Sequence, residues 1–180
     1  MTAMAGKSIR KESTRLAAQV KKAILHRHFC VLATASPDGI PHAVGVQYDF
    51  VGGYLYFITY EDTKKVRNIR GNPNVAVSIP VAKYPLAPPF SVQFQGTAII
   101  LAPDDSEILA LLKSGKLKKL TGHGVLKQPD GCFIQVTPGR KIHAYGLGIP
   151  ALTLLRDVSH GDRSVTFEEL AAVGKGGTHK

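Results

Sequence analysis

The sequence has no apolar run approaching the roughly 20 residues that span a bilayer. The stretch from Ala98 to Ala102 is short and closed by Pro103, so no membrane-crossing helix is expected. Met1 to Arg15 is polar and basic and lacks the apolar centre of a secretory signal, which predicts a cytoplasmic protein. Cysteine occurs only twice, at Cys30 and Cys132, each inside an apolar, strand-like segment. That excludes a disulfide framework and predicts buried, reduced thiols. There is no Gly-x-Ser-x-Gly, no phosphate loop, no Cys-x-x-Cys and no His-Glu-x-x-His. Nucleophilic hydrolysis, nucleotide hydrolysis and a zinc centre therefore have no residues to rest on. Acidic residues are few: 13 Asp and Glu stand against 23 Lys and Arg, a formal charge of +10. Anionic partners are favoured in general, although Lys7, Arg10, Lys11, Lys175 and Lys180 sit near the ends, where a solvated tail explains them equally well. Nucleic-acid binding would need basic side chains interleaved with exposed aromatics; Tyr54, Tyr56 and Phe57 alternate only partly, and the lysines cluster on helical segments.

What is present fits one domain of mainly β character. The chain has 180 residues, 44% of them hydrophobic and 20% charged, as in an ordinary globule. Ser8 to Arg27 carries Leu16, Val20, Ala23 and Ile24 at helical spacing. The period then changes to that of strands: 29–35, a Ser-Pro-Asp-Gly turn at Ser36–Gly39, a returning strand over 40–50, and a third strand over 54–59. Residues 62–70 read as a helix stopped by Gly71-Asn72-Pro73, and 75–79 as a fourth strand. Four prolines over Pro80–Pro89 predict a loop, 91–101 a fifth strand with a bulge or close backbone approach at Gly96, and 104–120 a helix broken at Gly115. A sixth strand covers 132–145, interrupted near Pro138-Gly139. Beyond Gly146 the pattern weakens. Leu152, Leu154, Leu155 and Val158 suit an arm against a partner subunit, and Gly174–Lys180 a disordered tail. The expected organisation is an N-terminal helix and tail (1–28), a six-stranded antiparallel barrel with short flanking helices (29–146), and a C-terminal arm and tail (147–180).

The chemically informative stretch is Thr59-Tyr60-Glu61-Asp62-Thr63-Lys64-Lys65-Val66-Arg67-Asn68. A strand ends, a polar turn follows, and a helix starts with a hydroxyl and two lysines. Unpaired N–H groups, the positive end of the helix dipole and two ammonium groups can converge there on one phosphate. The bland alternative is an N-cap at Asp62 or Thr63 followed by a solvated basic face.

The order of segments around this stretch favours the first. Val31-Leu32-Ala33-Thr34-Ala35-Ser36-Pro37-Asp38-Gly39-Ile40-Pro41-His42, then Tyr54-Leu55-Tyr56-Phe57, then Asn72-Pro73-Asn74-Val75-Ala76-Val77, resembles the pyridoxamine-phosphate-oxidase-like split-barrel flavoproteins over about 29–145. The resemblance implies a Greek-key barrel, a homodimer with cofactor at the subunit interface, and Thr63, Lys64 and Lys65 near the phosphate. It places His42, Ala43, Val44 and Gly45 along the ring, with Gln93 and Gln95 at the ring's polar edge, and assigns Thr59, Tyr60 and Asn68 to the cofactor as well. No side chain is expected to act as nucleophile, and no metal is expected. The absence of Trp removes the tryptophan-containing C-terminal signature of true pyridoxamine phosphate oxidases, so vitamin B6 oxidation is not expected. Lys141-Ile142-His143-Ala144-Tyr145-Gly146-Leu147 and Val46-Gln47-Tyr48 are more similar to the actinobacterial branch, some of whose members use a deazaflavin with a glutamyl tail. Lys64, Lys65, Arg67 and Arg70, or Lys113, Lys116, Lys118 and Lys119, would form a cationic track for such a tail. The cofactor expectation is therefore FMN first, the deazaflavin coenzyme F-420 second and haem third, with His42, His123 or His143 as possible axial ligands. The expected function is an oxidoreductase passing hydride or electrons to a small organic acceptor; the alternative is a non-catalytic cofactor carrier or haem-binding protein. Neither nucleic acid nor membrane is expected as a partner.

Overall fold

Residues 2–81, 90–121 and 130–173 are described in the computed structural model of the chain. In chain order the elements are α1 (Thr2–His26), β1 (Phe29–Ala35), β2 (Pro41–Gln47), β3 (Asp49–Val51), β4 (Tyr54–Tyr60), α2 (Lys64–Gly71), β5 (Asn74–Pro80) and β6 (Ser91–Leu101). There follow α3 (Ser106–Lys113), α4 (Lys118–Thr121), β7 (Gly131–Tyr145), α5 (Ala151–Arg156), a 3-10 turn (Val158–Gly161), β8 (Asp162–Thr166) and α6 (Phe167–Ala172). They form two compact units. Residues 28–78 and 94–139 make a sheet unit; residues 1–27, 79–93 and 140–180 make a terminal unit.

The strands pair in the order β2-β1-β5-β6-β7-β4-β3, with β8 on β7 beside that path. The pairings of β1 with β2 and β5, β3 with β4, β4 with β7 and β7 with β8 are all antiparallel. The β1–β2 hairpin closes through the Ser-Pro-Asp-Gly turn: Ser36 N–H donates to the Ile40 carbonyl at 3.0 Å, and Gly39 takes a positive φ of 81°.

The strand count differs from the six expected. The segment read as one returning strand splits at Tyr48, whose side chain is fully buried against Phe57 and whose N–H donates to the His28 carbonyl at 2.9 Å. This one residue separates β2 from β3, yet they lie at opposite ends of the strand order, so the sheet has to curl until its ends approach. The eighth strand, β8, lies in the stretch that looked patternless. A second correction concerns β7, which runs through Pro138 without interruption.

Alternation puts Cys30, Leu32 and Thr34 of β1 and Val75, Val77 and Ile79 of β5 inside. β4 and β7 do not alternate, because α3 and α4 cover their second face with a core of Tyr56, Ile108, Leu117, Leu120 and Phe133. That core contains one polar knot. Tyr56 donates to the Glu107 carboxylate, and Gln135 Nε2 donates to Tyr56 Oη at 3.0 Å and to Glu107 Oε1 at 2.9 Å.

In the terminal unit α1 buries Leu16, Ala17, Val20, Ala23 and Ile24. It is tied to α6 by Ser13 donating to Glu169 and Lys21 donating to the Val173 carbonyl. α6 begins with a capping box: Glu169 N–H donates to Thr166 Oγ1 and Thr166 N–H to the Glu169 carboxylate. Of the expected arm, Leu154 is buried while Leu152, Leu155 and Val158 are exposed. Most of the proline-rich loop (82–89), His123 and the tail from Gly174 lie outside the described residues. Among the described residues no helix is long and apolar enough to cross a membrane.

Candidate functional site

The corner between β4 and α2 is built by local chemistry. Thr59 is buried opposite Cys132 of β7, and Tyr60 is exposed opposite Gly131. Three residues later Thr63 sits extended at the head of α2 (φ −92°, ψ 151°). Its hydroxyl does not cap the helix: Oγ1 donates back to the Tyr60 carbonyl at 2.9 Å. The first turn of α2 therefore has no side-chain cap, so no side chain of its own answers its N–H groups or the positive end of its dipole.

The cations on α2 divide into two kinds. Arg67 is paired with Asp62 and Arg70 with Glu61, so half of the predicted cationic track is already neutralised. Lys64 is exposed and Lys65 half-buried, and neither has an acidic partner among the described residues. Burial pushes the Lys65 ammonium below its ordinary pKa, with a small opposing pull from Cys132. An unpaired, part-desolvated cation beside an uncapped helix start is suited to an anion. The second predicted track on 113–119 differs: Lys119 lies 4.0 Å from the buried Asp49 carboxylate, which also accepts its backbone N–H.

The core face of α2 carries Val66, Ile69 and Asn68, all buried. The Asn68 amide donates to Thr34 Oγ1 of β1 at 3.0 Å, and that hydroxyl makes a long contact, 3.5 Å, to the His42 carbonyl. Asn68 thus points into the sheet unit. Thr34, which sequence reasoning gave no role, joins α2 to β2; its only sequence signal is a hydroxyl at an inward position of an otherwise apolar strand.

β2 supplies the wall next to this corner. His42 and Val44 are half-buried, whereas Ala43 and Gly45 face out. A Cβ on Gly45 would lie 2.8 Å from the Phe29 ring, so only glycine lets that exposed ring approach β2 here. The register places Ala43 beside Ala33 and Ala33 beside Ala76, and Gly45 beside Val31 and Val31 beside Ser78. This outward face carries no charge. Gln95 of β6 is exposed. Gln93, which belongs to the terminal unit, is exposed as well and donates to Ser91 Oγ at 2.9 Å.

The sequence profile of the pyridoxamine 5'-phosphate oxidase family matches residues 16–139. The chain belongs to this family. Solved structures agree on the fold of this oxidase-family member. A haem storage protein from Vibrio cholerae superposes with a TM-score of 0.62 at 17% identity, over 73% of this chain and 95% of that one. A haem-binding protein from Mycobacterium smegmatis gives 0.66 at 20% identity over 87% of this chain, which spans 60% of that protein's length. An FAD-binding protein from Mesorhizobium loti gives 0.56 at 22% identity, over 68% and 88%. A search of curated protein sequences gives no match.

Proposed function

We propose that this member of the oxidase family is a cytoplasmic, flavin-type oxidoreductase that works as a homodimer with a small-molecule substrate. It would hold FMN, or the deazaflavin coenzyme F-420, against the β4–α2 corner. One observation carries this reading: an uncapped helix start with the unpaired, half-buried Lys65 beside it, in a chain of this family. The residues fit the group. Lys64, Lys65 and the first-turn N–H groups of α2 would hold the phosphate, while the wall from His42 to Gly45 and the amide of Gln95 would meet the ring. When bound, such a ring exchanges hydride or electrons with a small organic acceptor. The chain's part is to bind, orient and exclude water. The uncharged face of β2, β1 and β5 suits a second copy, which would cover ring and face together.

A titration tests this. Lys64→Ala together with Lys65→Ala removes two charge-assisted contacts worth about 1.5–3 kcal/mol each, so FMN affinity should fall by well over tenfold. Unchanged affinity rejects the phosphate corner.

A haem-binding function is the second reading, favoured by the two neighbours whose names record haem. Here the half-buried His42, or His143 with Asp162 at 3.4 Å orienting its ring, would supply the axial imidazole. Visible spectra separate the cases: absorbance that bleaches on reduction marks a flavin, a Soret band on adding haemin marks haem. A bound flavin that no acceptor reoxidises would indicate a carrier.

A further inference from the structure

We propose that Asn68 and Thr34 are a buried positioning pair that fixes the rotation of α2 about its own axis, and with it the aim of Lys64, Lys65 and the first-turn N–H groups. This rests on the phosphate-corner reading above. Both side chains are almost wholly covered, Thr34 at 4% and Asn68 at 5% exposure, within a contact otherwise made by Val66 and Ile69. Those two residues hold the helix against the sheet, but apolar contact has no direction and tolerates rolling. A hydrogen bond does not, because it weakens steeply when bent. Among the described residues, the directional side-chain contact from the core face of α2 is the 3.0 Å bond from the Asn68 amide to Thr34.

Asn68 lies four residues after Lys64 and three after Lys65, so all three share one side of the helix, and turning one turns the others. A roll of about 30° on a cylinder of about 5–6 Å radius displaces the side chains by about 3 Å. That is enough to break hydrogen-bonded contact with an anion. The pair also reaches the wall: Thr34 stands opposite His42 in the β1–β2 register, and its hydroxyl faces the His42 carbonyl. One hydroxyl therefore references both the phosphate end and the ring end of the proposed site.

The full-length protein is titrated with FMN, and melting temperature is measured in parallel, for Thr34→Ser, Thr34→Val, Asn68→Leu and the double variant Thr34→Val/Asn68→Leu. Thr34→Ser keeps the hydroxyl and should retain affinity within about twofold. Thr34→Val leaves the buried Asn68 amide without this acceptor, and Asn68→Leu leaves the Thr34 hydroxyl only its long contact to the His42 carbonyl, so in each affinity falls about tenfold and melting temperature falls with it. The double variant leaves no polar group stranded, so its melting temperature should recover towards wild type while affinity stays about tenfold weak. Affinity that recovers together with stability would overturn the proposal, because the pair would then be ordinary packing. Lys64→Ala/Lys65→Ala in the same titration distinguishes the two failures. If the lysine variant is unaffected, the phosphate corner itself is wrong. If it weakens binding while the Thr34 and Asn68 series does not, only the positioning role is wrong.

Discussion

At Gly96 the chain has no room for a side chain. An added Cβ would lie 2.3 Å from the Thr137 carbonyl oxygen, and at Gly139, on the facing stretch of β7, 2.8 Å from the Gln95 carbonyl oxygen. Both obstacles are backbone, so neither can swing aside, and Gly96→Ala should destabilise the fold by about 1–3 kcal/mol. A lower urea midpoint at unchanged slope would show it. The two thiols make the opposite prediction, that nothing happens. Burial raises Cys30 to about 12 and Cys132 to about 11, the latter aided by Glu61, and neither side chain is exposed. At pH 8 iodoacetamide should leave the native protein unlabelled and modify both residues after denaturation, as intact mass will report. Tyr56 gives the pH dependence. Burial and the Glu107 carboxylate raise its phenol above the ordinary 10.0. The unfolded phenol ionises near pH 10 and the folded one does not, so its stabilising contribution is complete below pH 10 and is lost as pH climbs towards the raised value. Tyr56→Phe should flatten that alkaline decline in a series of melts.

At the scale of elements, α6 depends on its first turn. Thr166 and Glu169 cap it reciprocally, and Ser13 and the Thr166 N–H hold the Glu169 carboxylate below its ordinary range. Thr166→Ala should cost about 1 kcal/mol in chemical denaturation; an unchanged midpoint would mean that α1 alone holds α6 in place. The strands of the hairpin and the helix stop at Gly71-Asn72-Pro73 were legible in the sequence, because turns and alternation act over a few residues. β8 was not. Asp-Arg-Ser-Val-Thr buries only Val165, and it becomes a strand through its pairing with the far half of β7. The break at Tyr48 was hidden for the same reason: it depends on how a distant end of the sheet returns. The candidate site divides along the same line. The β4–α2 corner is contiguous and readable, whereas the Asn68–Thr34 bond spans 34 residues and Arg67 and Arg70 are answered by acids that a helical wheel does not pair with them.

For the whole molecule the deciding quantity is where charge is absent. Nearly all of the +10 formal charge falls in the terminal unit, since the basic residues of the sheet unit are almost matched by its Asp and Glu. Within the sheet unit the outward face of β2, β1 and β5 is small and uncharged: Ala43 and Gly45, Val31 and Ala33, Ala76 and Ser78. On a single chain such a face is tolerated, but it is also what two copies can press together without desolvating an ion. Ala76→Glu separates the possibilities, because Ala76 is exposed in one chain and an isolated subunit has no reason to object to a carboxylate there. In a pair closed over this face the same carboxylate would be buried without a partner, so sedimentation equilibrium should show the dimer shifting to monomer, with melting of the subunit little changed. FMN affinity should fall in step, since the wall from His42 to Gly45 would lose its cover. Lys22→Glu, a change of two units of charge against one, on the exposed side of α1, should leave the assembly as it was. A dimer that survives Ala76→Glu would place the interface elsewhere.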